Sequence, residues 1–324
     1  MKALVCRELG PLAALTVEEW PDPEAAPGEV VVDVAAASVN YPDALIVQGK
    51  YQALPERPFV PGAECAGRVR AVGAGVAGLR VGEPVLALPM RGAFAERVAV
   101  PAEAVVALDP TLALATAAAI PMTYGTVYHA LTDRAHLKRG ETLLVLGAGG
   151  GIGTAAVELG KLLGATVIAC ASSREKLTLA RAAGAEHLID YGTQDLRARL
   201  REITTDRGVD VVCDPVGGAY SELALRSTAW GGRFLVVGFA AGEIPRIGLN
   251  LPLLKGSSIV GVFWGEFRRR DPRKARADLE WLLEQAAAGR IAPRITARYS
   301  LDAAAQALAD VYERRAAGKV LIEP

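Results

Sequence analysis

One glycine-rich segment constrains the fold of this chain more than any other part of the sequence. Residues 143–153 read LLVLGAGGGIG, so a short apolar run leads directly into glycines, and an apolar stripe at helical spacing begins at Ile152. Glycines let a backbone approach a pyrophosphate closely, and the N-terminus of the following helix presents free N–H groups and a partial positive charge. The segment therefore predicts a dinucleotide-binding loop, with a tight strand-to-helix turn as the alternative. The predicted phosphate contacts are Gly150, Gly151, Ile152 and Gly153.

The sequence around this segment favours the dinucleotide-binding interpretation. From about residue 140 onwards, β-like apolar runs alternate with helical stretches, a pattern typical of a doubly wound parallel sheet of the Rossmann type, with helices on both faces. The predicted strands are Leu143–Leu146, Thr166–Ala169, His187–Asp190, Val209–Cys213, Arg233–Gly238 and Ser258–Val262.

The first hundred residues have a different character. Short β runs such as Val30–Val34, Arg68–Val72 and Pro84–Leu88 are broken by glycine and proline, which predicts a small irregular β-barrel. Residues 113–130 are rich in alanine and threonine and predict a helix.

The C-terminal tail is too short to be a domain of its own. It contains two amphipathic helical stretches and a last strand at Lys319–Ile322, so we expect it to return and complete the first domain. The predicted α/β architecture is therefore a barrel domain of residues 1–122 and 265–324 and a dinucleotide-binding domain of residues 123–264.

The end of the second predicted strand indicates which dinucleotide is bound. NAD-binding sites of this kind place an Asp or Glu about 20 residues after the glycines, where it holds the ribose hydroxyls. Here the position falls near Ala171, and Ser172, Ser173, Arg174 and Lys176 follow. Hydroxyls and cations suit the 2′-phosphate of NADPH, which a carboxylate would repel. The sequence thus favours NADPH, with Ser172 and Lys176 as contacts. The alternative is that Arg174 and Lys176 are solvated side chains in the first turn of a helix and contact no ligand.

Charge and cysteine content argue against several classes of function. The chain has 36 Lys and Arg against 36 Asp and Glu, which gives it no electrostatic reason to bind nucleic acid or an anionic membrane. No run approaches the roughly 20 apolar residues of a membrane-spanning helix. The cysteines lack any paired spacing, which predicts reduced thiols in a cytoplasmic protein. They are Cys6, Cys65, Cys170 and Cys213.

Five further segments carry a family resemblance. They are ASVNYPDALIVQGKY (37–51), PFVPGAECAG (58–67), GAFAE (92–96), GTVYHA (125–130) and GKVL (318–321). Together with the glycine-rich segment, and over essentially the whole chain, they resemble the quinone oxidoreductases of the zeta-crystallin kind, which are zinc-independent medium-chain dehydrogenases/reductases. The resemblance implies a GroES-like barrel domain, a Rossmann domain, NADPH as cofactor, and a homodimer whose sheets join near residues 258–262.

The zinc alcohol dehydrogenases of the same superfamily differ from this chain at their zinc-ligand positions. Asn40 stands where they carry a ligating Cys, Ala63 stands where they carry the His of Gly-His-Glu, and their third ligand would fall near Ala118. Their loop of four cysteines around a structural zinc is missing as well. Because Glu64 alone cannot make a zinc site, the resemblance predicts catalysis without a metal.

Catalysis without a metal favours substrates that delocalise charge. An ordinary ketone would lack stabilisation for its developing alkoxide, whereas a quinone or an α,β-unsaturated carbonyl needs only a hydrogen-bond donor. By resemblance, Tyr51 is the predicted donor, and packing against the nicotinamide is its alternative role. Asn40 is predicted to hydrogen-bond the cofactor ribose or carboxamide, or the substrate carbonyl, with a turn-stabilising role as the alternative.

The resemblance assigns further cofactor contacts, several of them at strand ends. They are Thr126, Tyr191, Gly238, Phe239, Val262, Phe263 and Lys319. Ordinary packing at strand ends, or a solvated surface for Lys319, is the alternative. The predicted function is hydride transfer from NADPH to a small-molecule quinone. The alternatives are reduction of an enoyl-CoA or other activated alkene with Tyr51 as proton donor, and an NADPH-binding protein of structural or regulatory role.

Overall fold

The computed structural model describes residues 1–324 and divides into two units. The first unit combines Met1–Met122 with Glu280–Pro324, and the second unit is Thr123–Leu279. The chain therefore returns to its first unit later than residue 265, the position expected from the sequence.

Aromatic packing explains why residues 265–279 belong to the second unit. A Cβ added to Gly125 would lie 2.6 Å from the Trp264 ring, so the indole covers this glycine. The Phe267 ring stacks on His129 with ring centroids 4.0 Å apart. Both contacts join the helix after the last strand of the second unit to the first helical residues of the same unit.

The chain forms fifteen β-strands and eleven α-helices. The strands are β1 (Lys2–Val5), β2 (Thr16–Glu19), β3 (Glu29–Val39), β4 (Cys65–Val72), β5 (Pro84–Ala87), β6 (Arg97–Pro101), β7 (Val105–Ala107), β8 (Thr142–Val145), β9 (Thr166–Ala171), β10 (His187–Asp190), β11 (Val209–Asp214), β12 (Thr228–Val236), β13 (Ser258–Gly261), β14 (Ile295–Ser300) and β15 (Lys319–Glu323). The helices are α1 (Tyr41–Val47), α2 (Leu114–Ala118), α3 (Thr126–His129), α4 (Gly151–Leu162), α5 (Arg174–Ala182), α6 (Leu196–Ile203), α7 (Ala219–Arg226), α8 (Asn250–Lys255), α9 (Trp264–Arg270), α10 (Pro272–Ala287) and α11 (Ala304–Tyr312). None of the helices has the length and apolar character needed to cross a membrane.

The main sheet of the first unit is built around β3. Its strands run in the order β14-β15-β3-β4-β5-β7, and β6 also pairs with β3. One edge of β3 pairs with β4, whereas the other edge is shared by β6, along Glu29–Asp33, and β15, along Ala37–Val39. Because β3 is paired on both edges, its backbone is hydrogen-bonded within the sheet, and most of its apolar side chains are buried in the core of this unit. The result is the irregular β domain that the sequence predicted.

The second unit is a parallel sheet with the strand order β10-β9-β8-β11-β12-β13. The order reverses beside β8, because β9 and β10 lie on one side of it and β11 to β13 on the other. Open sheets of this kind bind ligands at the carboxyl ends of the strands, at the point of reversal. The predicted fold class is confirmed, although β12 begins at Thr228 and so is longer at its start than the sequence predicted.

The helix predicted for residues 113–130 is divided into several pieces. Helix α2 ends at Ala118, a π-helical turn spans Pro121–Gly125, and α3 continues into a second π-helical turn over Ala130–Arg134. Pro121 has no N–H to donate, so a regular α-helix cannot continue through it unchanged.

Candidate active site

The loop between β8 and α4 is shaped to receive an anion. Gly147 has a left-handed φ of 60°, and a Cβ on Gly153 would lie 2.1 Å from the Gly147 carbonyl oxygen. The first N–H that bonds back into the helix is that of Thr154, which donates to Gly150 O at 2.8 Å. The N–H groups of residues 151–153 therefore have no helical acceptor and can bind a phosphate group.

The end of β9 carries hydroxyl and cationic groups, and Ala171 is buried there. Ser172 is exposed, and Ser173 caps α5 by accepting a hydrogen bond from Lys176 N at 3.3 Å. A Cβ on Gly149 would lie 2.4 Å from the Lys176 Cβ, so the stem of this lysine packs directly on the glycine loop. The predicted contacts of a 2′-phosphate thus lie beside the predicted pyrophosphate loop.

Aromatic residues follow three other strands of the same sheet edge. The Tyr191 ring, after β10, lies against Tyr220 with centroids 4.2 Å apart. A Cβ on Gly217 would lie 2.9 Å from the Phe239 ring, which places this ring over the loop after β11. Phe263 follows β13 and is exposed. The structure therefore brings the predicted strand-end residues, including Gly238 and Val262, to one edge of the second unit.

Thr126 begins α3 and is half-buried. It follows Gly125, on which Trp264 packs, and Trp264 itself follows Phe263. This contact places Thr126 in the same region of the second unit as the end of β13.

Sequence reasoning missed Asp214, which ends β11 and is buried. One carboxylate oxygen accepts from Val216 N at 2.8 Å and Gly217 N at 2.9 Å, and the other accepts from the Ser221 hydroxyl at 2.5 Å. These bonds fix the loop at the strand end. An Asp followed by Pro-Val-Gly-Gly was the available signal.

In the first unit, two strand pairings bring three polar side chains together. Val39 of β3 pairs with Val320 of β15, and Ala37 pairs with Cys65 of β4. Asn40 follows Val39, whereas Lys319 precedes Val320 and Glu64 precedes Cys65. Because both pairings are antiparallel, these three residues lie at the same end of the three strands. They form a buried cluster: Asn40 is 7% exposed, Lys319 is 3% exposed and Glu64 is 0% exposed.

Every member of this Asn40–Glu64–Lys319 cluster is hydrogen-bonded. Asn40 Nδ2 donates to Glu64 Oε1 at 2.8 Å. Lys319 Nζ donates to Asn40 Oδ1 at 2.9 Å and to Glu64 Oε1 at 3.2 Å. Glu64 Oε2 accepts from the backbone N–H of Met122 at 2.7 Å. The buried carboxylate and ammonium are thus paired with each other, which buried charges require.

A second carboxyl group, that of Asp43, lies beside the cluster and is also buried. Its Oδ2 accepts from the backbone N–H of Asn40 at 2.8 Å, at the start of α1. The pKa of Asp43 is raised to about 7, chiefly because the carboxyl is buried and also because of the Glu64 charge, while the Asn40 N–H and Lys319 oppose the shift. Neither Asp43 nor, apart from the comparison with zinc-ligand positions, Glu64 was predicted from the sequence to have a role.

Tyr51 lies in the loop after α1 and is half-buried. Burial and the nearby charge of Asp43 raise the pKa of the Tyr51 phenol above its ordinary value of 10. The phenol therefore stays protonated near neutral pH and retains its capacity to donate. The adjacent Lys50 anchors the loop by donating to Tyr312 Oη at 3.0 Å.

Comparison with known proteins assigns the family. The description "Alcohol dehydrogenase GroES-like domain" matches residues 26–110, and "Zinc-binding dehydrogenase" matches residues 151–284. A quinone oxidoreductase-like protein 2 homolog of Nematostella vectensis is 37% identical over 99% of this chain and 88% of its own length. The chain belongs to the quinone oxidoreductases of the medium-chain dehydrogenase/reductase family.

Solved structures place this quinone oxidoreductase family member in the same group. A probable oxidoreductase from Mycobacterium abscessus is 37% identical, covers 100% of this chain and 99% of its own, and has a TM-score of 0.90. The Escherichia coli quinone oxidoreductase complexed with NADPH is 26% identical over 100% of both chains, with a TM-score of 0.90. The predicted GroES-like and Rossmann fold and the predicted oxidoreductase class are confirmed.

The zinc in the description of the second match has no counterpart among the ligand positions of this family member. Asn40, Ala63 and Ala118 occupy the positions compared above. No group of three or more His, Cys, Asp or Glu side chains is arranged to hold a metal ion. The positive charge next to Glu64 is that of Lys319, at 3.2 Å.

Proposed function

We propose that this protein is an NADPH-dependent oxidoreductase that transfers a hydride to a quinone without a metal. The observation that carries the proposal is the anion-binding loop at residues 147–153, which lies next to Ser172 and Lys176 where a carboxylate would indicate NAD. The Escherichia coli neighbour complexed with NADPH supports the same cofactor.

The residues of the second unit suit the phosphates and the adenosine of NADPH. The free N–H groups of residues 151–153 would bind the pyrophosphate, and Ser172 and Lys176 would bind the 2′-phosphate. Tyr191 would lie against the adenosine phosphate. Contacts nearer the nicotinamide would come from Thr126, Gly238, Phe239, Val262 and Phe263, with Asn40 and Lys319 in the first unit. When bound, NADPH supplies the hydride.

A metal-free mechanism is supported by the way Glu64 is used. Its carboxylate accepts hydrogen bonds from Asn40, Lys319 and the Met122 N–H, and the adjacent Lys319 ammonium would repel a zinc ion. Without a Lewis acid, the substrate must spread its developing charge. A quinone does so over its ring, and the protonated phenol of Tyr51 stabilises the oxygen by donating a hydrogen bond.

Reduction of an enoyl thioester is the alternative, because Tyr51 stays protonated near neutral pH and its phenol could deliver that proton to carbon. One assay of NADPH oxidation separates the two, with 1,4-benzoquinone and crotonyl-CoA as parallel acceptors. The proposal predicts turnover with the quinone. Turnover with crotonyl-CoA alone, abolished in Tyr51→Phe, would show that the quinone assignment is wrong.

We further propose a homodimer formed through β13, the edge strand of the parallel sheet. Trp230 and Leu253 near this edge are 81% and 77% exposed, and a Cβ on Gly256 would lie 3.3 Å from the Trp230 ring, so helix α8 and the indole share one apolar surface. Such a patch is typical of an interface. Light scattering should give a dimer mass that Leu253→Asp halves. Val81→Asp, at an exposed position of the first unit, is the control and should leave the mass unchanged. A monomeric wild-type protein would contradict the proposal.

A cytoplasmic location is part of the proposal. All four cysteines are free and buried, and burial raises the pKa of each thiol, to about 12 for Cys65 and Cys213. Unpaired, unreactive thiols suit a reducing compartment.

A further inference from the structure

We propose that Glu64 is a positioning residue: together with Lys319, it orients the side-chain amide of Asn40 so that Asn40 offers a ligand its carbonyl oxygen and never its N–H. The inference rests on the proposed function, since the ligand is taken to be NADPH. It narrows what Asn40 recognises to hydrogen-bond donors of the cofactor, which are the ribose hydroxyls and the carboxamide N–H groups.

The hydrogen bonds of the Asn40 amide leave one position for a ligand. A side-chain amide has two N–H donors and a carbonyl oxygen with two acceptor positions. Both donors are engaged, by Glu64 Oε1 at 2.8 Å and by Ser38 O at 3.3 Å. The carbonyl oxygen accepts from Lys319 Nζ at 2.9 Å. The nearby backbone N–H of Asp43 donates to the backbone carbonyl of Asn40 at 3.1 Å, and the Asn40 side chain makes no cap hydrogen bond. The remaining position is therefore an acceptor on Oδ1, which only a hydroxyl or an N–H can use.

The opposite orientation of the amide is excluded by the neighbouring charges. A half-turn of the amide would direct its N–H groups at the Lys319 ammonium and its carbonyl oxygen at the Glu64 carboxylate. Unpaired donors and acceptors are costly in a buried site. Glu64 cannot turn to follow, because its other oxygen holds the Met122 N–H at 2.7 Å. The amide therefore has one stable orientation.

The same contacts show which side chain of the cluster can donate a hydrogen bond to a substrate. Lys319 uses two of its three N–H groups on Asn40 and Glu64, which leaves one for a ligand. A substrate carbonyl is an acceptor, so Lys319 or Tyr51 would serve it. Of the roles considered for Asn40 from the sequence, contact with the substrate carbonyl is thereby discarded.

Two single variants and their combination test the orientation. In Glu64→Gln, the introduced carbonyl stays on the Met122 N–H and the introduced NH₂ faces the Asn40 N–H. The Asn40 amide then loses an acceptor and Lys319 loses one of its two acceptors, so Asn40 is no longer held in one orientation. In Asn40→Asp, two carboxylates face each other. In the double variant the introduced amide donates to the introduced carboxylate, Lys319 keeps its acceptor at position 40, and an oxygen again faces the ligand. The bonds given up are the two longer ones, to Ser38 O at 3.3 Å and from Lys319 to position 64 at 3.2 Å.

The Kd for NADPH, measured by fluorescence titration, should rise at least about 10-fold in each single variant. In the double variant it should return to within about 3-fold of the wild-type value. The melting temperature of the cofactor-free protein should follow the same pattern. Glu96→Gln is the matched control, because that carboxylate also accepts a backbone N–H, that of Lys2 at 2.8 Å, outside the cluster; its Kd should equal the wild-type value.

Three results would overturn the inference. A wild-type Kd in Glu64→Gln would show that the orientation of Asn40 does not matter. A double variant that regains its melting temperature but still binds NADPH weakly would show that Asn40 donates an N–H to the ligand. A double variant that fails to regain its melting temperature would refute the amide orientation in the cofactor-free protein. A wild-type protein that binds no NADPH would instead refute the proposed function and the ligand assignment, while the melting temperatures still decide the orientation.

Discussion

Replacing the buried carboxyl of Asp43 with an amide should stabilise the protein above neutral pH and change little in acid. In the folded protein, burial raises the pKa of Asp43 from 3.8 to about 7. The folded state therefore holds this proton more tightly than the unfolded state does, and the free energy of unfolding falls as pH rises from about 4 to about 7. Asp43→Asn removes this loss, because the amide cannot ionise and can still accept the Asn40 N–H.

The size of the effect follows from the shift. About three pH units at about 1.4 kcal/mol each give an upper bound of about 4 kcal/mol. For a unit of this size, each kcal/mol moves the melting temperature by about 2–4 °C. The difference in melting temperature between Asp43→Asn and wild type should therefore grow by up to about 8–16 °C between pH 4 and pH 8.

Thermal melts at half-unit pH steps test this expectation. Asp302→Asn is the control, since Asp302 is exposed in the same unit, and removal of this exposed carboxyl should leave the melting temperature close to that of wild type. A difference for Asp43→Asn that does not grow with pH would refute the claim that the folded protein disfavours the charged carboxylate.

Three further substitutions test the site. Tyr51→Phe should lower kcat with the quinone at least about 10-fold and leave the Kd for NADPH near its wild-type value, because only the phenol O–H is lost. An unchanged kcat in stopped-flow assays would show that Tyr51 takes no part in the reaction. Lys176→Met should raise the KM for NADPH about 10-fold or more and barely affect NADH, so equal effects on both would contradict the 2′-phosphate assignment. Gly153→Ala should lower the free energy of unfolding by about 1–3 kcal/mol, because its Cβ would lie 2.1 Å from the Gly147 carbonyl oxygen. Gly150→Ala is the control and should fold normally, because its Cβ would lie 3.6 Å from the same oxygen. Urea unfolding measures the free energy of each variant, and an equal decrease in the two would contradict the crowding at Gly153.

Local patterns were sufficient to predict the second unit. The glycine segment and the alternating strands and helices depend on residues near each other in the chain, and each predicted strand was found near its predicted position. The placement of residues 265–279 depended instead on the Trp264 ring covering Gly125. A contact of that kind is set by tertiary packing and leaves no periodic signal.

The Asn40–Glu64–Lys319 cluster was only partly predictable for a related reason. Family resemblance pointed to Asn40 and Lys319 one at a time. Their meeting depends on the antiparallel register of Val39 with Val320, which joins residues from opposite ends of the chain. Sequence alone does not give that register, so the role of Glu64 between them could not be inferred.

The specificity for NADPH over NADH, measured as the ratio of kcat/KM values with one quinone acceptor, tests whether Ser172 and Lys176 recognise the 2′-phosphate. The exposed Ser172, the lysine packed on the glycine loop and the absence of an acid at Ala171 predict a ratio of at least about 100 in favour of NADPH, since losing the contacts of the 2′-phosphate should cost about 3 kcal/mol. A ratio near one, or a preference for NADH, would contradict the account.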